Sequence, residues 1–377
     1  MKQRPPYLLL ALAAFSMARA AGPAEEAAFD LEVIDAHPPE QPWFKLAADL
    51  DGNGRLDLIV GGAKGPLVWY ASPNWEKCTI ADGGWDGVRG ATGDIDRDGH
   101  VDIVMGGVVW FRNPGRIGTH WALHRIDNQR THDVLIADLD GDGRPDLVAR
   151  DQSAFGNAGN AIYLYRQEQS QEWTRRVIPC PHGEGIQVAD LTGNGRSDIV
   201  IGGRWYENPG DPIKDEWQEH VYATRWTHPH AKVEVADVNG DDRLDILLTP
   251  AELAEQEYKI AWYEAPADPR SSWIEHVIVE PIEAVIHALA ADDFDQDGRI
   301  DVAYAEMHQG ADPDEVVVLL NRDRGSGWHK QILSTRGSHD ILAADLDGDG
   351  AMDLLGANHG GPYQALEWFR NTVHNAP

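Results

Sequence analysis

Apolar residues in this chain fall in short blocks, and the blocks recur in a fixed order. One block runs into an Asp- and Gly-rich turn (VLIAD, IQVAD, ILAAD), and a second runs out of it (DLIVGG, DIVMGG, DILLTP). A third block is aromatic: VWY, VWFRNP, YLY, RWYENP, AWYEAP and EWFRN. A fourth opens on Trp: WEKCTI, WALHRI, WTRRVI, WQEHVY, WIEHVI and WHKQIL. Apolar runs this short, bounded by Gly, Asp and Pro, predict strands. No stretch holds a helical period long enough to compete.

The Asp-rich turn occurs seven times, beginning at Asp49, Asp94, Asp138, Asp190, Asp237, Asp293 and Asp345, at spacings of 44 to 56 residues. Four short strands per unit, repeated radially, predict an all-β fold: a seven-bladed β-propeller of four-stranded blades. The segment FDLEVID, Phe29 to Asp35, matches a fourth strand with no blade before it, while the last unit ends at EWFRN without one. The N-terminal strand is therefore expected to complete blade seven, closing the ring and removing an exposed sheet edge. One domain over 21–377 follows.

The spacing D-x-D-x-D-G, on which the turns are built, is the first half of a calcium loop, with alternate side chains turning oxygens inward and Gly permitting the sharp bend. It closes on Asp at position nine. The candidate ligands are Asp49, Asp51, Asn53 and Asp57 in blade one, Asp94, Asp96, Asp98 and Asp102 in blade two, and Asp138, Asp140, Asp142 and Asp146 in blade three. Blade four offers Asp190, Thr192, Asn194 and Asp198; blade five Asp237, Asn239, Asp241 and Asp245. Blade six offers Asp293, Asp295, Asp297 and Asp301; blade seven Asp345, Asp347, Asp349 and Asp353. Thr192 and Asn194 weaken the fourth loop, and blade five carries Asp242 where Gly is expected. Acidic turns favour Asp and Gly on their own account. That explains one or two copies, not seven in register.

These loops between two short strands resemble the FG-GAP and VCBS repeats of integrin-type propellers over nearly the whole chain. The WYENP and WxxHxI strands look more like those of secreted bacterial VCBS proteins and of the propeller in aldos-2-ulose dehydratase. The resemblance implies up to seven structural Ca²⁺ ions, and among its members are enzymes acting on carbohydrate.

Charge and the N-terminus narrow the setting. The net charge is −30, which repels nucleic acid and anionic lipid. The first 20 residues read as a secretory signal peptide, with Lys2 and Arg4, an apolar run from Leu8 to Phe15, and Ala18-Arg19-Ala20 as cleavage site. A secreted or periplasmic protein is expected, monomeric and not inserted in a membrane. Its removal leaves −33, of which seven calcium ions would cancel 14. The two cysteines, Cys78 and Cys180, are too far apart along the repeat to suggest a disulfide.

The face opposite the calcium loops carries the chemistry. His132, His287 and His339 each stand six residues before a first calcium aspartate, and His182, His228 and His230 lie within three residues of that register. Arg130, Arg225 and Arg336 precede histidines by two or three residues, and Arg89 leads into blade two. Loops leaving the second strands add Arg150, Asp151, Glu306, His308, Asn358, His359 and Tyr363. His124, His220 and His276 instead fall on outermost strands and read as half-exposed strand residues. Recurring Trp residues read as packing between blades, with Trp43, Trp85 and Trp226 placed where a sugar ring could stack.

Two functions fit. One is β-elimination on carbohydrate by a polysaccharide lyase or sugar dehydratase, which needs a base, a cation for the enolate and an acid for the leaving oxygen. His339 or His132 would be the base, with His287 beside them; Arg336, Arg225 or Arg150 would hold the anion, and Tyr363 would be the acid. A variant places Zn²⁺ among the histidines. The other is a non-catalytic module binding glycans or proteins. A blander reading leaves the histidines hydrogen-bonded in the core.

Overall fold

The computed structural model describes residues 26–83, 87–116, 118–151, 160–169, 171–311 and 313–373. The expected leader 1–20, Trp85 and most of the long loop leaving the second strand of blade three lie outside them. The described residues form seven four-stranded antiparallel sheets and no α-helix. In blade one the strands are Phe44–Ala48, Asp57–Gly61, Leu67–Ala71 and Glu76–Ala81, hydrogen-bonded in that order. Blades two to six repeat the pattern.

Blade seven shows how the ring closes. Its order is Phe29–Asp35, Leu366–Asn371, Asp353–Ala357, Asp340–Ala344, so the N-terminal strand is its outermost member, as expected. Phe29 faces Asn371 and Asp35 faces Leu366 in antiparallel register. Asp35 then reaches into blade one, accepting from Tyr70 Oη and Lys77 Nζ, each at 2.7 Å. Burial opposes ionisation of Asp35, but Lys77, the His37 amide and Tyr70 outweigh it and hold the carboxyl below its ordinary range. A depressed carboxyl contributes stability above its unfolded pKa and loses it as pH falls through the folded value. Asp35→Asn is accordingly expected to lower Tm at pH 7. The difference should vanish in acid, which melts recorded across pH will show.

The apolar strands are buried on both faces because each belongs to two interfaces at once. Seven hydrophobic clusters each join neighbouring blades. In blade one Ile59 and Trp69 pack on Ile103 and Phe111 of blade two, while Leu58, Val60 and Tyr70 pack on Leu355 and Trp368 of blade seven. Alternate side chains of one strand thus leave in opposite directions, and the seventh cluster returns to the first blade. Trp121 and Trp217 belong to these clusters, which confirms packing as the role of the Trp-opened strands. His124, His220 and His276 stack on Trp110, Trp205 and Trp262 of the neighbouring strand, so their place is structural.

In the Asp-rich turns, position one accepts from two backbone amides, Asp49 Oδ1 from Asn53 at 3.0 Å and Oδ2 from Gly54 at 2.8 Å. Position six is left-handed throughout, and Asp242 adopts φ +65° in place of Gly. Position nine does more than close the loop. All seven of its aspartates are 0–1 % exposed, and each clamps the loop to the third strand. Asp301, for example, accepts from Phe294 N at 3.0 Å through Oδ2 and from Asn321 N at 2.7 Å through Oδ1. Asn321 in turn donates 2.9 Å to the Val238 carbonyl in the loop of the preceding blade. Asn113, Asn208 and Asn371 make the same link. The recurring Asn after the aromatic strand is therefore a staple between adjacent loops.

Candidate functional site

The first strands of all seven blades line an axial cavity of about 300 Å³. Lys45, Arg89, Lys232, Glu234 and Asp340 are its charged walls. Arg89 lies 3.7 Å from Glu234, and Lys232 lies 3.7 Å from Asp340. Burial, with Lys232 nearby and only Asp340 in compensation, pushes the Lys45 ammonium down to about 8.

Where these strands begin, the histidines meet. His132 is the second residue of the strand Thr131–Ala137, and His287 and His339 immediately precede Ala288–Asp292 and Asp340–Ala344. The shared register directs all three at the axis. His132 Nε2 and His287 Nε2 stand 3.3 Å apart, and the rings of His287 and His339 stack at 4.5 Å. All three are buried, with 1 %, 0 % and 4 % exposure.

Two carboxylates that sequence reasoning missed complete the cluster. Glu184 Oε2 lies 3.3 Å from His132 Nε2 and 3.5 Å from His230 Nδ1. Glu252 Oε1 lies 3.7 Å from His287 Nε2. Glu184 is driven inward by the glycines on either side. Gly183 and Gly185 have φ +146° and +80°, and a Cβ on them would lie 2.0 and 1.9 Å from the carbonyl oxygens of Pro229 and Ala231. The run G-E-G in a lead-in loop was the available signal. Glu252 adopts φ +73°, a left-handed turn that a non-glycine residue rarely takes.

Arg150 is a positioning residue. Its guanidinium donates to the carbonyls of Glu184 (3.3 Å), Gly185 (2.8 Å) and Pro181 (3.0 Å), which fastens the loop that presents Glu184. At 2 % exposure it has no path to a substrate, so the anion-holding role considered for it does not fit this geometry. Arg150→Ala strands three carbonyls, and a loss of about 3 kcal/mol or more is expected in chemical denaturation.

A second layer of side chains lies further out. His359 meets His339 edge-on at 4.5 Å between ring centres, and His308 meets His359 at 4.7 Å. Both are half-buried. Trp43 accepts from His339 Nδ1 through its carbonyl at 3.1 Å and sets its ring edge-on to His359. Arg336 is tied to the same segment, because its carbonyl accepts from Asn358 Nδ2 at 2.7 Å. Its guanidinium pairs with Glu367 at 2.7 Å and lies 5.5 Å from the centre of the exposed Tyr363 ring. Arg225 is exposed and its carbonyl accepts from Tyr258 Oη; the structure does not bring it into the cluster. Trp226 is buried edge-on against Tyr258 and bonded to the His228 carbonyl, so it offers no free face to a sugar.

Electrostatics separates the histidines. Burial pushes His287 and His339 well below the ordinary imidazole range, helped by Lys232 and His339 for the first and by His359 and Lys45 for the second. His359 falls to about 4 through burial and the nearby His308 and Lys45. His132 moves up: burial opposes its charge, but Asp133 and Glu184 prevail. Burial and the charge of Glu184 push Glu252 up to about 7.

On the opposite face, oxygens from positions one, three and nine of the turns in blades one, two and three lie within 4.8 Å of one another. An all-oxygen set fits a hard cation. Burial pushes Asp102, Asp146 and Asp245 up to about 7 and Asp301 up to about 8, so these carboxylates lack a compensating charge. Guanidiniums supply part of it, since Arg112 pairs with Asp98 at 2.6 Å, Arg322 with Asp295 at 2.5 Å and Arg370 with Asp347 at 2.6 Å.

A family described as FG-GAP-like repeat matches residues 49–105, 138–201 and 293–356. Each match begins at a first loop aspartate and takes in two successive turns. This is a propeller of FG-GAP-like repeats. The turn of blade five, with Asp242 in place of glycine, falls between the matched segments of the FG-GAP propeller. Human cartilage acidic protein 1 is 20 % identical over 410 residues, covering 89 % of this chain and 59 % of the relative. The chain thus spans little more than half the length of that protein. Among solved structures, BBS1N in complex with ARL6DN superposes with TM-score 0.58 at 12 % identity, over 92 % of this chain and 97 % of that one. Such a likeness shows the fold alone. The rhamnogalacturonan lyase YesW matches 94 % of this chain and 74 % of its own at TM-score 0.47 and 12 % identity, too loosely to bear on activity.

Proposed function

We propose that this FG-GAP propeller is an exported, calcium-held enzyme that acts on acidic carbohydrate by β-elimination at the mouth of its axis. The observation that carries this reading is the grouping of His359, Arg336 and Tyr363 on one rim segment of blade seven, above a buried layer of histidines and carboxylates. Three roles are needed and three side chains of suitable type are present. Burial of His132 and His339 moves the base to the half-buried His359, whose imidazole is neutral at physiological pH. It would take the proton alpha to a uronate carboxylate. Arg336, with five N–H donors of which one meets Glu367, would hold that carboxylate as charge builds on it. Tyr363 would give its proton to the oxygen leaving from the beta carbon. A carbon–carbon double bond and an alcohol result, and water is neither consumed nor released.

The loops of the other face have a separate task. Their aspartates would hold Ca²⁺ between the first and second strands of each blade, stabilising the ring that supports the site. The acidic surface and the expected leader suit an extracellular or periplasmic setting.

Incubation with a panel of uronate polysaccharides tests the reaction through the ultraviolet absorbance of the conjugated product. Growth of that band that stops when His359 is replaced supports elimination. No product from the panel, with glycan binding intact by calorimetry, would instead make the protein a binding module.

A further inference from the structure

We propose that His132, His287 and Glu184 form a buried transition-metal site on the propeller axis, suited to a borderline divalent ion such as Zn²⁺. The site is distinct from the Asp-rich turns and does not depend on the elimination chemistry above.

Tautomers make the first argument. Asp133 Oδ2 lies 2.9 Å from His132 Nδ1 and acts as its acceptor, so Nε2 of the neutral ring carries a lone pair. That lone pair faces Glu184 Oε2 at 3.3 Å and His287 Nε2 at 3.3 Å. Two electron pairs thus converge from His132 and a carboxylate in a space that water does not reach. Either a shared proton or a metal cation reconciles them. A carboxylate behind a histidine, fixing the inward nitrogen, is the usual outer support of a metal ligand. His339 repeats the device, since the Trp43 carbonyl accepts from its Nδ1 and leaves Nε2 toward the cluster.

Dimensions make the second. Bonds of about 2.0–2.1 Å from zinc to nitrogen or oxygen imply ligand-to-ligand edges of about 3.3–3.4 Å in a tetrahedron. Two edges here, both meeting at His132 Nε2, are 3.3 Å, and the second oxygen of the Glu184 carboxylate, Oε1, lies 3.9 Å from His287 Nε2. Glu184 Oε1 is buried and accepts no hydrogen bond, although the residue is 3 % exposed. An unpartnered carboxylate oxygen at that depth is costly unless a ligand meets it. The mixed nitrogen and oxygen set favours a first-row ion over calcium, and no thiolate is present to favour a soft one.

The competing occupant is a proton shared by His132 and Glu184, and metal uptake decides between them. The full chain is stripped with chelator, returned to excess Ca²⁺ so that the turns are filled, and titrated with Co²⁺. One equivalent should bind with the intense visible bands of tetrahedral cobalt and be displaced by Zn²⁺. Asp133→Asn should weaken binding about 10–100-fold, and Glu184→Gln and His287→Gln should abolish it, in proteins whose calcium-loaded melts show that they fold. Wild-type protein that takes up no Co²⁺ or Zn²⁺ overturns the proposal even if the variants do not fold. Uptake untouched by Glu184→Gln and His287→Gln also overturns it. Uptake without elimination supports the metal site while removing the lyase reading, and elimination in a chain that takes up no metal does the reverse.

Discussion

Stripping divalent cations from this protein is expected to lower its Tm by about 10 °C or more, or to unfold it outright. The turns place aspartates at alternate positions, and each position-nine carboxylate is buried and held by two amides. Amides orient these groups but do not cancel their charge. A bound ion that recognises only the folded loop contributes about 2.7 kcal/mol when present at a hundred times its Kd. Five such loops would then supply more than about 10 kcal/mol, comparable with the whole stability of an ordinary domain at about 5–15 kcal/mol. The Asn staples join adjacent turns, so loss of an ion from one loop would be expected to loosen the next. Arg112, Arg322 and Arg370 temper the effect in blades two, six and seven. High salt should restore part of the lost stability by screening the repulsion. Thermal melts with and without chelator give the answer, and a transition that does not move would remove calcium from the account.

His359→Ala is expected to reduce elimination by about 10²–10⁴-fold, the usual worth of a positioned acid or base. Tyr363→Phe, which removes only the phenolic proton donor, should act in the same range. Tyr363 is 51 % exposed and His359 half-buried, so neither change should disturb the melt. That separates them from His339, whose ring is stacked in the buried layer. His124→Ala serves as control, since that imidazole stacks on Trp110 on an outer strand. Equal rates for His359→Ala and the control would exclude His359 as base.

Much of the architecture was legible in the chain. Seven Asp-rich turns in register, each between apolar blocks, specify blades because turn chemistry and strand length are local properties. The N-terminal strand was legible for the same reason: FDLEVID has the pattern of a fourth strand and no other place to pair. The register of His132, His287 and His339 could be read, and their convergence follows once the strands they head line one axis. Tyr363 and Arg336 were named without the contact that joins them.

Other features had little local mark beyond the G-E-G run around Glu184. Glu184 and Glu252 come from loops of different blades, and only the closed ring carries them to His132 and His287. Arg150 looked like an anion binder by residue type, yet burial turned it into a clamp on three carbonyls. Trp226 looked like a sugar platform until Tyr258 and the His228 carbonyl claimed it. Position nine looked like a ligand alone; its second task, holding the third strand, depends on an amide about 20 residues away in blades such as the sixth. The chain by itself determined the repeat, the number of blades, the closing strand and the face on which histidines gather, since each rests on short-range periodicity. Tertiary structure alone decided which side chains are buried and which meet across the axis. Depth and mutual distance belong to the packed ring, and in this propeller they separate a candidate ligand from a candidate base.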